Sequence, residues 1–259
     1  MYLSFPEIRI MPEPFLFTLH EGLPRQGPGS TACTQKMFSF LPGLPEIPEI
    51  LDIGCGSGMQ TIDLARLCPR ARITAVDIYP AFLEEVNKRI IAAGFSDRIR
   101  TIRASMDDLP CDPESFDLIW AEGSIFIIGV EPGLTLWKKF LKHGGFLGFT
   151  EATWFTKTPS EKVRSFWREN YPGMKTVDEI KTITRQAGYS CIADFPLPAS
   201  AWWVDYYIPL LNRLPALEHQ FRGDAGAEAI ISLTRQEIEL FEKYSAQYGC
   251  QFFLLEITA

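Results

Sequence analysis

From residue 50 onward, short apolar runs alternate with stretches whose apolar residues recur every three or four positions, the pattern of strands and amphipathic helices in turn. The runs Ile50 to Ile53, Ile73 to Val76, Arg98 to Arg103, Phe116 to Ala121, Phe146 to Thr150 and Tyr189 to Phe195 read as six strands. Met59 to Leu67 reads as the first intervening helix. Pro80 suits the first turn of the next, in which Phe82, Val86 and Ile90 share a face until Gly94 ends it. Leu134, Trp137, Phe140 and Leu141 predict a further helix closed by Lys142-His143-Gly144-Gly145, and Val177 to Ala187 another with Gly188 as its cap. Phe252 to Ile257 is a seventh apolar run. Strands and helices alternating over short connections predict an α/β fold, a parallel sheet with helices on both faces.

Two stretches break the alternation. Residues 1–45 contain Arg25-Gln26-Gly27-Pro28-Gly29-Ser30 followed by a helical stretch from Thr31 to Phe40. Residues 196–250 begin with Pro196 and Pro198 and run into the aromatic cluster Trp202-Trp203-Val204-Asp205-Tyr206-Tyr207. They are expected as an N-terminal lid and a helical insertion on a single domain whose core is 46–195 and whose last strand lies in 251–259. A length of 259 residues with 46% hydrophobic and 22% charged residues suits one well-buried core. The net charge of -7 offers no general attraction to nucleic acid or to an anionic membrane. The six cysteines form no Cys-x-x-Cys pair and are expected as reduced thiols of a cytoplasmic protein. No run approaches the ~20 apolar residues of a membrane helix.

Chemistry concentrates where strand one meets its helix, in Leu51-Asp52-Ile53-Gly54-Cys55-Gly56-Ser57-Gly58. Three alternate glycines permit positive φ and bare the backbone, while the helix N-terminus beyond them offers N–H groups and partial positive charge to an anion. The dinucleotide spacing would put the third glycine at Met59, so the loop differs from that fingerprint. A glycine turn that merely joins strand to helix is the plain alternative. Against it stands Asp77, at the end of the second strand and 19 residues after Gly58, where an α/β fold places a carboxylate for ribose hydroxyls.

Asp52-x-Gly54-x-Gly56-x-Gly58 resembles motif I of the class I S-adenosylmethionine (SAM) methyltransferases. Ser105-Met106-Asp107-Asp108-Leu109-Pro110 resembles the segment that edges adenine in that family, and Ser115 to Trp120 its fourth strand. Together with Arg25 to Ser30, Trp120-Ala121-Glu122-Gly123, Glu151 to Phe155 and Ala187-Gly188-Tyr189, these segments are similar to the small-molecule, ubiquinone-biosynthesis-like branch and to a bacterial and archaeal subfamily of it. The resemblance implies a Rossmann-like seven-stranded sheet, six strands parallel and the last inserted antiparallel between the fifth and sixth. It implies SAM as cofactor and S-adenosylhomocysteine (SAH) as product. Gly54, Cys55, Gly56 and Gly58 would then meet the amino acid end with Asp52 near its ammonium, Asp77 would hold the ribose, and Ile78 would lie against adenine. Met106 would bond a ring nitrogen, and Ser105 or Asp107 the exocyclic amine.

Methyl transfer is an in-line displacement that depends on positioning, with a base required only if the acceptor must lose a proton. Glu122 and Glu151, beyond the carboxyl ends of strands four and five, are the candidate catalytic groups, each with a structural or cofactor-holding alternative. Trp154, Trp203 and Tyr206 are candidate walls for an acceptor, and Arg25 a candidate partner for an acidic group, against core or dimer packing and a solvated loop. His143 is expected to cap a helix and His219 to lie at the surface; His20, in the expected lid, is read as a surface residue with reach to the site as the alternative, and no metal-ligand spacing occurs. A small-molecule acceptor is the expected partner, with neither nucleic acid nor membrane, and a homodimer is left open. Protein or RNA methylation, and SAM binding without catalysis, are the alternatives.

Overall fold

The computed structural model describes residues 13–258; residues 1–12 of the expected lid and Ala259 lie outside them. Two helices come first, α1 (Glu13–His20) and α2 (Thr31–Phe38). The alternating region follows as β1 (Glu49–Ile53), α3 (Met59–Leu67), β2 (Arg72–Asp77), α4 (Pro80–Ala93), β3 (Ile99–Arg103), β4 (Phe116–Ala121), α5 (Val130–Lys138) and β5 (Leu141–Trp154). Beyond it lie α6 (Glu161–Asn170), a two-residue β6 (Lys175–Thr176), α7 (Val177–Gln186) and β7 (Tyr189–Pro196). The insertion is helical: α8 (Ser200–Trp202) runs through a π-helical turn, Trp203–Tyr207, into α9 (Ile208–Gln220), followed by α10 (Ala225–Tyr244) and the last strand β8 (Tyr248–Ile257).

Among the described residues the strands form one sheet in the order β3-β2-β1-β4-β5-β8-β7, with β6 paired to the end of β5. β8 runs antiparallel to both of its neighbours, as the resemblance implied. The central strands are buried on both sides, which is why they read as unbroken apolar runs. One face packs against α3, α4, α6 and the α8–α10 helices through residues such as Leu64, Val86, Trp167, Leu214 and Phe241. The other packs against α5 and α7 through Leu134, Trp137 and Ile180. α7 carries a full capping box, Thr176 and Glu179 each bonding the other's backbone N–H.

The expected helix through Phe140 and Leu141 ends instead at Lys138, because Leu141 already pairs with Phe116 and opens β5, ahead of an irregularity in its register with β4. His143 is therefore an exposed residue of that irregular strand and not a helix cap.

Candidate functional site

The connection from β1 to α3 is bent by three left-handed glycines, Gly54 at φ 69°, Gly56 at φ 53° and Gly58 at φ 83°. Gly54 and Cys55 both donate to the Val76 carbonyl, at 2.8 and 2.9 Å, so the loop is drawn over the end of β2. There Asp77 closes the bend: one oxygen accepts from the Gly56 N–H at 2.9 Å and the other from the Tyr79 N–H at 2.9 Å. Burial pushes the Asp77 carboxyl up, against the pull of those backbone donors. The glycines also answer to the protein's own packing. A Cβ on Gly54 would lie 2.4 Å from Ser124 Cβ, one on Gly56 2.3 Å from Gln26 Oε1 and one on Gly58 2.8 Å from Val86 Cγ2. Met106, on the loop after β3, lies beside Gly54, and that loop is tied to β2 by Ala104 N–H donating to the Asp77 carbonyl at 3.2 Å. Ser105 is half-buried, Asp107 exposed and Ile78 46% exposed at this rim.

Asp52 lies beneath the loop with no exposure, its Oδ2 accepting from Thr61 at 2.6 Å and its Oδ1 without a partner. Burial raises its pKa to about 7.

A strap formed by residues 23–34 covers the loop from the N-terminal side. Ser57, at the head of α3, donates its N–H to Gln26 Oε1 and its hydroxyl to the Pro24 carbonyl, both at 2.7 Å. Arg25, 5% exposed, bridges two buried carboxylates, Glu122 at 3.0 Å and Asp63 at 3.3 Å. Glu122 also accepts from Thr34 at 2.6 Å and from the Trp120 indole at 2.9 Å, and Asp63 accepts from Thr31 at 2.8 Å. Gly148 makes room for that indole, since a Cβ there would sit 2.6 Å from its ring. The strap's Gly29 N–H donates to the Ala201 carbonyl at 2.9 Å, joining it to the insertion. Arg25 and Glu122, singled out separately from the sequence, are thus partners of each other.

Glu151 belongs to a different cluster. It is 2% exposed, with Oε1 accepting from Tyr171 at 2.7 Å and Oε2 unpartnered, and burial raises its pKa to about 8. A carboxyl that binds its proton more tightly when folded supports the fold fully in acid and loses that support as pH rises from the unfolded value near 4 to about 8. Glu151→Gln is expected to remove this slope: between pH 5 and 8.5 the wild-type stability should fall relative to the variant's by roughly a few kcal/mol, lowering its relative melting temperature. Parallel melting curves for the two proteins would refute it.

Trp154 donates to the Met174 carbonyl at 3.2 Å and meets the Tyr248 ring edge-on. Trp203 and Tyr206 fall in the π-helical turn. Trp203 packs edge-on against Tyr207, whose hydroxyl donates to Glu237 at 2.7 Å; Tyr206 faces His20 at the end of α1, which is half-buried there. Gln26, Thr34 and Tyr171 were not singled out in the sequence, although Gln26 lies within the Arg25 to Ser30 segment. Among the described residues no cluster of His, Cys, Asp or Glu is placed to hold a metal ion, and no helix is long and apolar enough to cross a membrane.

The strand order and the glycine loop define the Rossmann-like fold of the class I methyltransferases. Residues 50–145 match the model of a methyltransferase-domain family. The chain is 37% identical over 109 residues to a malonyl-[acyl-carrier protein] O-methyltransferase of Paenibacillus sp. (strain JDR-2), covering 40% of this chain and 38% of that protein. It is 32% identical over 114 residues to the protein of the same name from Herminiimonas arsenicoxydans, covering 42% of this chain and 40% of that one. The chain thus spans about two fifths of the length of these curated relatives. Among solved structures, a SAM-dependent methyltransferase from Thiobacillus denitrificans in complex with SAH superposes with a TM-score of 0.80 at 20% identity, over 95% of this chain and 99% of that one.

Proposed function

We propose that the protein is a SAM-dependent methyltransferase acting on a small-molecule acceptor. The observation that carries this reading is the left-handed glycine run held to Asp77 at the end of β2, a bare backbone beside a carboxylate. The residues present fit the cofactor. Asp52 carries a buried oxygen without a partner near the loop, and the α3 N-terminus opens onto it. Gly54, Cys55, Gly56 and Gly58 would take the amino acid end with Asp52, Asp77 the ribose, and Ile78, Ser105, Met106 and Asp107 the adenine. Bound SAM would supply an electrophilic methyl group. The acyl-carrier O-methylation named for the relatives supports an acceptor of metabolite type, and the negative charge of the chain is against a nucleic acid.

Glu122, held by Arg25, Thr34 and Trp120, anchors the strap over the glycine loop. Glu151, with its raised pKa, keeps a proton at neutral pH and can donate a hydrogen bond on the acceptor side. Trp154, Trp203 and Tyr206 supply aromatic walls, and the free thiols support a cytoplasmic location.

Calorimetry tests the reading. Micromolar binding of SAH is expected with no comparable affinity for NAD, and Asp77→Ala should weaken SAH by about 1.5 to 3 kcal/mol and also lower the melting temperature of the ligand-free protein, because the Gly56 and Tyr79 N–H groups lose their acceptor. NAD binding more tightly than SAH would overturn the assignment, and an unchanged SAH affinity in the variant would remove Asp77 from the site.

A further inference from the structure

Two roofing elements that are distant in sequence meet through His20 and Tyr206. His20 is the last residue of α1, and Tyr206 lies in the π-helical turn Trp203–Tyr207, an irregularity that turns its side chain out of the helical register of α9. Their rings lie nearly parallel, at 9° with centroids 5.9 Å apart. Nδ1 of His20 is 2.8 Å from the Leu16 carbonyl, which can only accept, so Nδ1 carries the proton and Nε2 presents a lone pair. That lone pair faces the Tyr206 hydroxyl at 3.4 Å, a loose contact of the kind that tightens when a site fills.

The pair stands beside the cofactor loop. The His20 carbonyl is 3.5 Å from Gln26 Nε2, and the same carboxamide accepts the Ser57 N–H at the head of α3. Phe17, one turn earlier on α1, stacks at 4.2 Å on Tyr79, two residues beyond Asp77. α1 therefore follows the rim of the loop from the ribose side toward its glycines and ends at His20.

We propose that Tyr206 and His20 form a proton relay on the acceptor side of the cofactor pocket, serving an acceptor that carries an ionisable hydroxyl or comparable X–H group. The inference rests on the methyltransferase reading and adds the acceptor class. In the step it implies, the acceptor heteroatom bonds to the methyl carbon while the carbon–sulfur bond breaks and its electron pair stays on sulfur. The acceptor proton passes to the Tyr206 oxygen, the Tyr206 proton to Nε2 of His20, and the imidazolium returns a proton to solvent. The surroundings suit a neutral imidazole. Burial holds the His20 pKa below its ordinary value, and the Arg213 guanidinium of α9, which also bonds the Thr18 carbonyl at 2.9 Å, adds to this. Burial, with Glu237 of α10 and Cys250 of β8 facing Tyr206, pushes the phenol well up, so it keeps its proton until one replaces it.

Histidine-labelled protein, with three histidines to assign, allows a test without the acceptor. The His20 titration is followed by long-range proton–nitrogen NMR in the presence of saturating SAH and of saturating sinefungin, an analogue with an amine in place of the transferable methyl. A relay facing the methyl position should show a His20 midpoint about one unit lower with the cationic analogue than with SAH. Tyr206→Phe, which keeps the ring, should raise the midpoint by removing the donor to Nε2. Equal midpoints in the two complexes, or no change in Tyr206→Phe, would overturn the relay while leaving the cofactor assignment standing. If neither ligand binds, the methyltransferase reading fails and the relay falls with it.

Discussion

Gly54→Val should abolish measurable SAH binding and lower the melting temperature by roughly 10 °C, an effect of about 3 kcal/mol or more for a chain of this size. Two costs combine. At φ 69° a β-branched residue is strained in the backbone before any contact is counted. Its Cβ would then lie 2.4 Å from Ser124 Cβ, and Ser124 cannot withdraw freely because its hydroxyl donates to the Ile53 carbonyl at 2.7 Å inside the core. Scanning calorimetry with a titration of SAH measures both effects. A variant with wild-type melting and affinity would mean that the loop does not adopt this bend.

Arg25→Ala should be nearly as severe. The substitution leaves buried Glu122 without its counter-charge and buried Asp63 with only Arg66 at 3.8 Å, and stranding buried charge in this way costs about 3 to 5 kcal/mol. Asp63, whose carboxyl burial already pushes up, can recover by taking up a proton, so the loss should be larger at pH 8 than at pH 5. The triple variant Arg25→Ala, Glu122→Gln, Asp63→Asn should regain part of it. Losing the bridge also frees the strap, and limited proteolysis should cut residues 21–30 faster in Arg25→Ala than in wild type. Equal stability at both pH values and an unaltered digestion pattern would show that the ion pairs contribute nothing to closure.

The strands and helices whose signals are local were legible in the sequence. α3 and β4 occur with the limits expected, and the glycine run and Asp77 meet through a single hydrogen bond. α6 escaped notice because its three buried residues, Val163, Phe166 and Trp167, are set in an otherwise polar segment after a stretch without strand or helix signals. Phe140 and Leu141 continue a helical spacing but belong to a turn and a strand, since pairing with β4 outweighs local periodicity. The strap was visible as a motif, yet its purpose was not. Gln26 finds Ser57 across 31 residues and Thr34 finds Glu122 across 88, and no local pattern encodes such meetings. Tyr171 is only 20 residues from Glu151, but the reason for the contact, an acid buried at the end of β5, appears only once the sheet is assembled.

The placement of β8 bears on how the chain is made. β7 is bonded in the sheet to β8 alone among the described residues, and β8 follows α8, α9 and α10 in the sequence. On the ribosome, β1 to β5 can zip together as they emerge, whereas β7 must wait for roughly 50 more residues, about 3 to 10 seconds of synthesis, before a neighbour exists. Through that interval β5 and β7 each carry an open edge that invites pairing with the wrong strand. The charged residues on and beside β7, Asp194 with Lys181 at 2.6 Å, would discourage such pairing while the nascent chain waits for its final strand.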